Sequence, residues 1–301
     1  MNRRTRHASM AVAGLLATIA ALAASGCGSS SADSGSAATA SAGTTSAAVP
    51  QVAPPPHLLH HGALTLGASL TYPPLGYLDN GKQAGLDPEL SDVVAKLMGL
   101  TKDMTNVSFE SLIPGLQAHK YDAVFSSVFI TKARAKAVDF VPYFQTGQAF
   151  VVKKGSSFAP QTAGDLCGHT VAVLKGSYNE TLANGQIKQG CGGDLKVRSF
   201  PTDPEATTEV QAGRADVLFT AREVAFYRAS QPSGANLEVA SKAVLYPVAV
   251  GIAVRKGDAA MKASFAAAIQ QLTANGKLVA ILKQYGLEPA TASTVSASLK
   301  G

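Results

Sequence analysis

The chain has 301 residues, enough for one large domain or two lobes of about 100–150 residues each. Hydrophobic residues make up 46% and charged ones 15%, so a well-buried core is within reach; the formal charge of +6 falls to +3 once Arg3, Arg4 and Arg6 are set aside, with 23 Lys+Arg against 20 Asp+Glu. That balance, without any Lys/Arg cluster interleaved with aromatics, excludes a nucleic-acid binder, and collagen, coiled-coil and multi-span membrane classes are excluded too: outside the N-terminus the longest apolar run, residues 243–254, is too short to cross a bilayer as a helix.

Residues 1–26 read as a secretory signal peptide. A basic start (Arg3, Arg4, Arg6) is followed by an uncharged Ala/Leu-rich stretch over residues 9–24, and Ser25-Gly26-Cys27 closes it with small residues. The segment resembles a bacterial lipoprotein signal with Cys27 as the lipidated residue, although Ala24 stands where Leu is usual; the alternative is an ordinary cleaved signal that contains a cysteine. Several acyl chains on one cysteine anchor a protein firmly, each buried methylene contributing about 0.8 kcal/mol. Residues 27–61 read as a lipid-anchored, disordered linker of Ser, Ala, Gly, Thr and Pro. His57, His60 and His61 end it; they invite a metal reading, but a polar linker end is preferred and no metal is expected. Cys167 and Cys191 remain as a pair, 24 residues apart in an exported chain. An oxidising compartment favours a disulfide over two free thiols. A metal site would need more ligands than His169, the one nearby candidate.

Folded sequence starts near Gly62. Residues 63–68 read as a strand, broken by Thr71-Tyr72-Pro73-Pro74-Leu75. Asp87-Pro88-Glu89 reads as a helix start with Asp87 as the N-cap, and Leu90, Val93, Val94 and Leu97 then recur at helical spacing until Gly99. Residues 107–109 read as a short strand, Leu112 to Gln117 as a helix with Pro114 in its first turn, and 122–129 as an apolar strand; Thr131 starts a short helix. A second series follows: strands at 149–152 and 170–173, a helix from Ser177, a strand at 196–200, a helix over 204–212 and a strand at 216–219. A long apolar strand at 245–254 and helices at 259–272 and 277–285 complete the chain. Such alternation predicts an α/β protein, and two series joined by extended segments predict two lobes with a cleft between them.

Across residues 64–287 the chain resembles the amino-acid-type (family 3) periplasmic solute-binding proteins of ABC importers. The resemblance rests on Tyr72-Pro73-Pro74-Leu75, Gly85-Leu86-Asp87, Leu112-Ile113-Pro114-Gly115-Leu116-Gln117, Tyr121-Asp122-Ala123, Ile130-Thr131-Lys132-Ala133-Arg134, Val138-Asp139-Phe140, Gly176-Ser177, Gly213-Arg214-Ala215-Asp216 and Gly251-Ile252-Ala253-Val254-Arg255-Lys256-Gly257, in this order and spacing. It implies the two-lobe periplasmic-binding-protein (type II) fold, with two open sheets joined by two hinge strands at 143–147 and 246–250. Lobe 1 is expected over 62–142 and 251–290, lobe 2 over 148–245, and a C-terminal tail over 291–301.

The resemblance also implies a site. Arg134 lies in the first turn of the helix begun by Thr131, where a cation opposes the helix dipole at a cost of about 0.3–1 kcal/mol. Gripping a ligand carboxylate through two parallel hydrogen bonds would compensate. The sequence alone does not separate this from a solvated Arg; the resemblance implies the clamp. Gly176-Ser177, with Tyr178 next to it, precedes a helix whose Glu180 has capping-box spacing to Ser177, so the turn reads as an anion site or as a plain cap. Tyr72 and Phe109 match ligand-sandwiching aromatics, while Leu75 reads as core. Ser126 and Ser127 match a strand end whose backbone contacts the ligand. Phe129 stands where the family carries Thr, and Ala221 where it carries the Asp that pairs with an α-ammonium. An unpaired buried ammonium is expensive. Either Glu223 substitutes, or the ligand is a small carboxylate without a standard α-amino group and with an apolar or aromatic body; the second is preferred, and histidine and basic amino acids are disfavoured.

The expected function is that of a monomeric, exported substrate-binding lipoprotein, held on the outer face of the cytoplasmic membrane, that delivers this ligand to an ABC permease. No catalytic residue and no cofactor is expected. The alternative is an enzyme on the same fold, resembling cyclohexadienyl dehydratases, with Glu223 or Glu180 as general acid. A receptor's sensing lobe pair is disfavoured because no transmembrane or signalling segment follows.

Overall fold

The computed structural model describes residues 51–300. The expected signal peptide, Cys27 and the linker up to residue 50 lie outside the described residues. No helix among the described residues is long and apolar enough to cross a membrane.

In chain order, lobe 1 opens with β1 (Ala63–Ala68), then β2 (Thr71–Tyr72), β3 (Gly76–Asp79) and β4 (Lys82–Ala84), which form a small three-stranded sheet. Helix α1 (Leu86–Leu97), β5 (Thr101–Asn106), α2 (Leu112–Gln117), β6 (Ala123–Phe129) and α3 (Lys132–Ala137) follow. The long β7 (Val138–Lys153) leads into lobe 2. There β8 (Thr170–Leu174), α4 (Tyr178–Leu182), a π turn (Ala183–Ile187), α5 (Lys188–Gly190), β9 (Lys196–Phe200), α6 (Asp203–Gln211), β10 (Val217–Ala221), α7 (Arg222–Ser230) and β11 (Leu237–Val239) succeed one another. The second long strand, β12 (Leu245–Arg255), returns to lobe 1 and to α8 (Ala259–Ala274), α9 (Lys277–Gln284) and α10 (Ala292–Lys300).

The main sheet runs β5-β1-β6-β12-β7-β10-β8-β9, with β11 also on β7. The two expected sheets are thus halves of one hydrogen-bonded sheet, because β7 and β12 run unbroken between the lobes. The first half of β7 pairs with β12, and its second half pairs with β10 and β11. Each half carries buried side chains on both faces, as its continuously buried inner strands β6 and β10 require. In lobe 1, Leu64, Leu66 and Phe125 pack with Phe265 on one face, while Leu116, Tyr121, Val124 and Val128 pack on the other. In lobe 2, Phe150, Val171 and Phe219 form one cluster and Val151, Ala172 and Leu218 the other. Gly67 is a glycine because Tyr121 fills its side: a Cβ there would lie 2.6 Å from the ring.

Four local expectations change. Asp87 does not cap α1. Gly85, at φ 102°, is the N-cap, and the Asp87 side chain turns inward, accepting from Tyr143 Oη (2.6 Å) and Ser127 Oγ (2.7 Å). The strand expected at 107–109 lies instead at β5, an edge strand whose exposed polar residues hide the pattern; Phe109–Ser111 form a 3-10 turn. The end of the expected disordered linker, residues 51–61, packs on lobe 1. Val52 is buried and its N–H donates to Leu97 O (3.0 Å), while the Leu59 N–H donates to Asp122 Oδ1 (2.9 Å). Isolated apolar residues gave the composition no sign of this. Residues 292–300, expected within the tail, form α10, where Ser298 Oγ accepts from the Ala249 N–H (2.9 Å) of β12. The expected disulfide joins Cys167 to Cys191, tying the 3-10 turn Ala163–Leu166 to the end of α5.

Candidate functional site

Thr131 is the N-cap of α3, its side chain accepting from the Arg134 N–H (3.2 Å). This cap sets Arg134 at the seam between the lobes. Its Nη1 donates to Phe129 O of lobe 1 and its Nη2 to Gly176 O of lobe 2, each at 3.0 Å. The guanidinium also lies 5.5 Å from the centroid of the Phe109 ring. The residue is half-buried, and the surrounding protein pulls its pKa down to about 10. Among the described residues no carboxylate lies within ion-pair distance of it. A cavity of about 70 Å³ opens on one side, lined by Phe109, Ile113 and Val128, and one of about 570 Å³ on another, lined by Thr131, Gly176, Tyr178 and Gln186; Arg134 lines both.

Other cross-lobe contacts close the same seam. The Phe129 and Tyr178 rings meet edge-on at 6.1 Å, and Lys175 pairs with Glu110 at 2.9 Å. Gly176 stands at φ 74° against the Glu110 backbone, where a Cβ would lie 2.9 Å from Glu110 Cα. Phe109, Phe129, Arg134, Gly176 and Tyr178 are therefore brought together.

Tyr72 and Ala221 form a second contact. The Ala221 N–H donates to Tyr72 Oη (3.1 Å), which is also 2.9 Å from Thr220 Oγ1. Thr220 Oγ1 donates to Asp203 Oδ1 (3.1 Å), and Asp203 Oδ2 is held by Arg228 Nε and Nη2, each at 2.9 Å. Burial outweighs that cation and pushes the Asp203 carboxyl up; burial and Asp203 push the Tyr72 hydroxyl up. Lobe 2 thus places a carboxylate next to Ala221, but Arg228 and Thr220 already hold it.

The remaining expected residues have their side-chain oxygens engaged within the protein. Ser126 Oγ accepts from the Ser69 N–H (2.9 Å), and Ser127, at φ 46°, gives its hydroxyl to Asp87. Ser177 caps α4, accepting from the Glu180 N–H (3.1 Å), while Glu180 Oε2 takes the Gly176 N–H (2.7 Å). The turn therefore carries its own anion.

Sequence reasoning missed Asp87, Asp203, Thr220 and Arg228 as a polar frame behind the site. Asp203 did carry a signal, an Asp-Pro helix start, and α6 has its cap at Thr202 instead. Glu223, considered only as a substitute acid, is buried on α7 with Oε2 accepting from Thr146 Oγ1 (2.5 Å). Burial pushes its carboxyl up to about 7.

The sequence profile of the bacterial extracellular solute-binding proteins, family 3, matches residues 64–288. The chain belongs to that family. The L-arginine-binding protein of Pseudomonas aeruginosa is 32% identical over 227 residues, 73% of this chain and 86% of the relative. The L-cystine-binding protein of Escherichia coli K12 is 30% identical, over 74% of this chain and 82% of its own. Among solved structures of the fold, an ancestral arginine-binding protein bound to arginine superposes with a TM-score of 0.70 at 33% identity, covering 76% of this chain and 99% of that one. An ancestral amino acid-binding protein, a precursor of cyclohexadienyl dehydratase, gives 0.67 at 31% identity, over 74% of this family-3 chain and 95% of its own. These relatives are named for amino-acid binding, and the ABC transporter arginine-binding protein 1 of Escherichia coli K12 is 28% identical over 74% of this chain and 90% of its own.

Proposed function

We propose that this family-3 chain is the substrate-binding lipoprotein of an ABC importer, anchored through Cys27 outside the cytoplasmic membrane. It holds a small carboxylate-bearing solute, an amino acid or a close relative of one, between residues 62–142 with 251–290 and residues 148–245. The observation that carries this reading is the Arg134 guanidinium. It is half-buried, bonded to a carbonyl oxygen of each lobe, and has no carboxylate partner among the described residues. Two neutral acceptors compensate a partly desolvated cation poorly; a bidentate carboxylate does so well and binds both lobes through one group. The ligand then favours the closed form by its stronger contacts there. The relatives that bind L-arginine and L-cystine support the amino-acid class. Asp203, being already held, supports a ligand whose far end is apolar or aromatic rather than an α-ammonium beside Ala221.

A thermal-shift screen of amino acids, their deaminated analogues and other carboxylates on the purified chain tests the reading. A ligand at about 100 times its Kd adds about 2.7 kcal/mol. The shift is expected to vanish in Arg134→Ala; full retention there would overturn the clamp, and turnover of prephenate or arogenate by the purified protein would overturn the non-enzymatic reading. Metabolic labelling with a radioactive fatty acid is expected to mark the wild type and not Cys27→Ala.

A further inference from the structure

The strands that join the lobes, β7 and β12, face each other at Gln145 and Ala249. The N–H of each residue goes to the C-terminal segment and not to the other strand. Gln145 donates to Glu288 O (3.0 Å) and Ala249 to Ser298 Oγ of α10 (2.9 Å). The Gln145 side chain is taken up as well, its Oε1 accepting from the Thr291 N–H (3.3 Å), Thr291 Oγ1 (3.2 Å) and Thr294 Oγ1 (2.5 Å). Ser298 Oγ donates in turn to Thr294 O (2.8 Å), which links the hold on one strand to the hold on the other. The segment itself is seated on lobe 1, where Ala290 and Val295 pack with Val128, Ile130 and Phe140. Towards lobe 2 the ladder between β7 and β12 shifts register between Val248 and Leu245, and Tyr246 stands at φ 44°.

Ala249 is buried, and a buried N–H without a partner is costly, so the bond to Ser298 is not readily given up. A segment that holds both strands of a pair and is itself packed on one lobe makes that pair part of the lobe. Bending is left to the residues next to it, where the register is already broken and a residue with a side chain already has left-handed backbone. We propose that the C-terminal segment is a hinge brace: residues 288–298 fix the Gln145–Ala249 pair to lobe 1, so that the lobes turn about Tyr246 and Pro247 and the range of openings without ligand is narrow. A narrow range leaves less freedom to lose on closing, which favours closure around any solute. The match to the family stops at residue 288, at the first of these contacts. The inference rests on the two-lobe reading, and not on the role given to Arg134 or on the solute.

Thr294→Val combined with Ser298→Ala removes both hydroxyls and leaves the apolar seat of α10 in place. Lys120 of lobe 1 and Thr208 of lobe 2 are exposed. Spin labels on Lys120→Cys and Thr208→Cys, with Cys27→Ala, report the interlobe distance in the purified chain with no solute added. Hydrogen exchange read by mass spectrometry reports the strands one by one. In the double variant the distance distribution is expected to broaden and shift to longer separations. The peptide over 246–250 exchanges about tenfold faster or more, while β1 and β10 exchange as in the wild type. Ser298→Thr keeps the hydroxyl and is expected to keep the wild-type distribution. The proposal is overturned if the double variant's distribution is unchanged, or if β1 and β10 speed up as much as 246–250, the mark of a helix that only adds stability. If the double variant does not fold, Gln145→Met releases the other hold; it is expected to broaden the distribution too, and an unchanged one overturns the proposal equally.

Discussion

Single carboxylates in this protein are shaped by partners far along the chain. Asp87 is read from the sequence as a helix cap, because the local Asp-Pro-Glu pattern carries that meaning. Its actual partners, Ser127 and Tyr143, lie 40 and 56 residues away, and no local pattern announces them. The local setting of Arg134 was legible because its cap, Thr131, is three residues away, while its part as a ligand clamp rested on the resemblance alone. Glu223 carries a prediction. Its carboxyl is raised from 4.5 to about 7, first by burial and further by Asp87, while Thr146 and Arg222 pull it back. A group raised on folding contributes its full stability below its unfolded pKa and loses it as pH rises through the folded one. Glu223→Gln keeps an oxygen for the Thr146 hydroxyl but cannot ionise. It should therefore melt like the wild type near pH 4 and higher than the wild type near pH 8, by up to about 3 kcal/mol at about 1.4 kcal/mol per unit. Superimposable melting curves at the alkaline end would count against the burial argument.

Elements were legible where apolar residues run together or keep a period, and obscure where exposure on both sides erases the pattern. β6, buried along its whole length, is plain in the sequence; β5, with Met104 as its one buried residue, is not. Ends follow caps. At α6, Thr202 and Glu205 form a reciprocal capping box, Thr202 Oγ1 accepting at 3.3 Å and Glu205 Oε2 at 3.1 Å. Thr202→Ala should cost about 1 kcal/mol in a denaturant titration, and Thr202→Asp should recover most of it. The Cys167–Cys191 link closes a segment of 24 residues that holds β8, α4 and α5. Replacing both cysteines with Ser should lower stability by about 3 kcal/mol, read by the same titration, and leave the lobe 1 core unchanged.

At the scale of the whole molecule, alternation of strands and helices made two lobes legible, but not how they meet. That contact is made by backbone and by residues from both halves: Gly176 O on Arg134, the Ala221 N–H on Tyr72, Lys175 on Glu110. Gly176→Ala should leave both lobes folded, since its neighbours in conflict belong to the opposite lobe, and yet hold the seam apart. Small-angle scattering should report a larger radius of gyration in saturating ligand, and affinity should fall by about tenfold or more as the closed fraction falls. An unchanged radius and affinity would mean that the seam tolerates the extra carbon. One feature at the other end of the molecule bears on how it moves. Val52 on Leu97 and Leu59 on Asp122 fasten the incoming chain to lobe 1 alone. A pull applied ahead of Gln51 would pass first into that half, the stator of any hinge, and reach the half built around the disulfide only through β7 and β12.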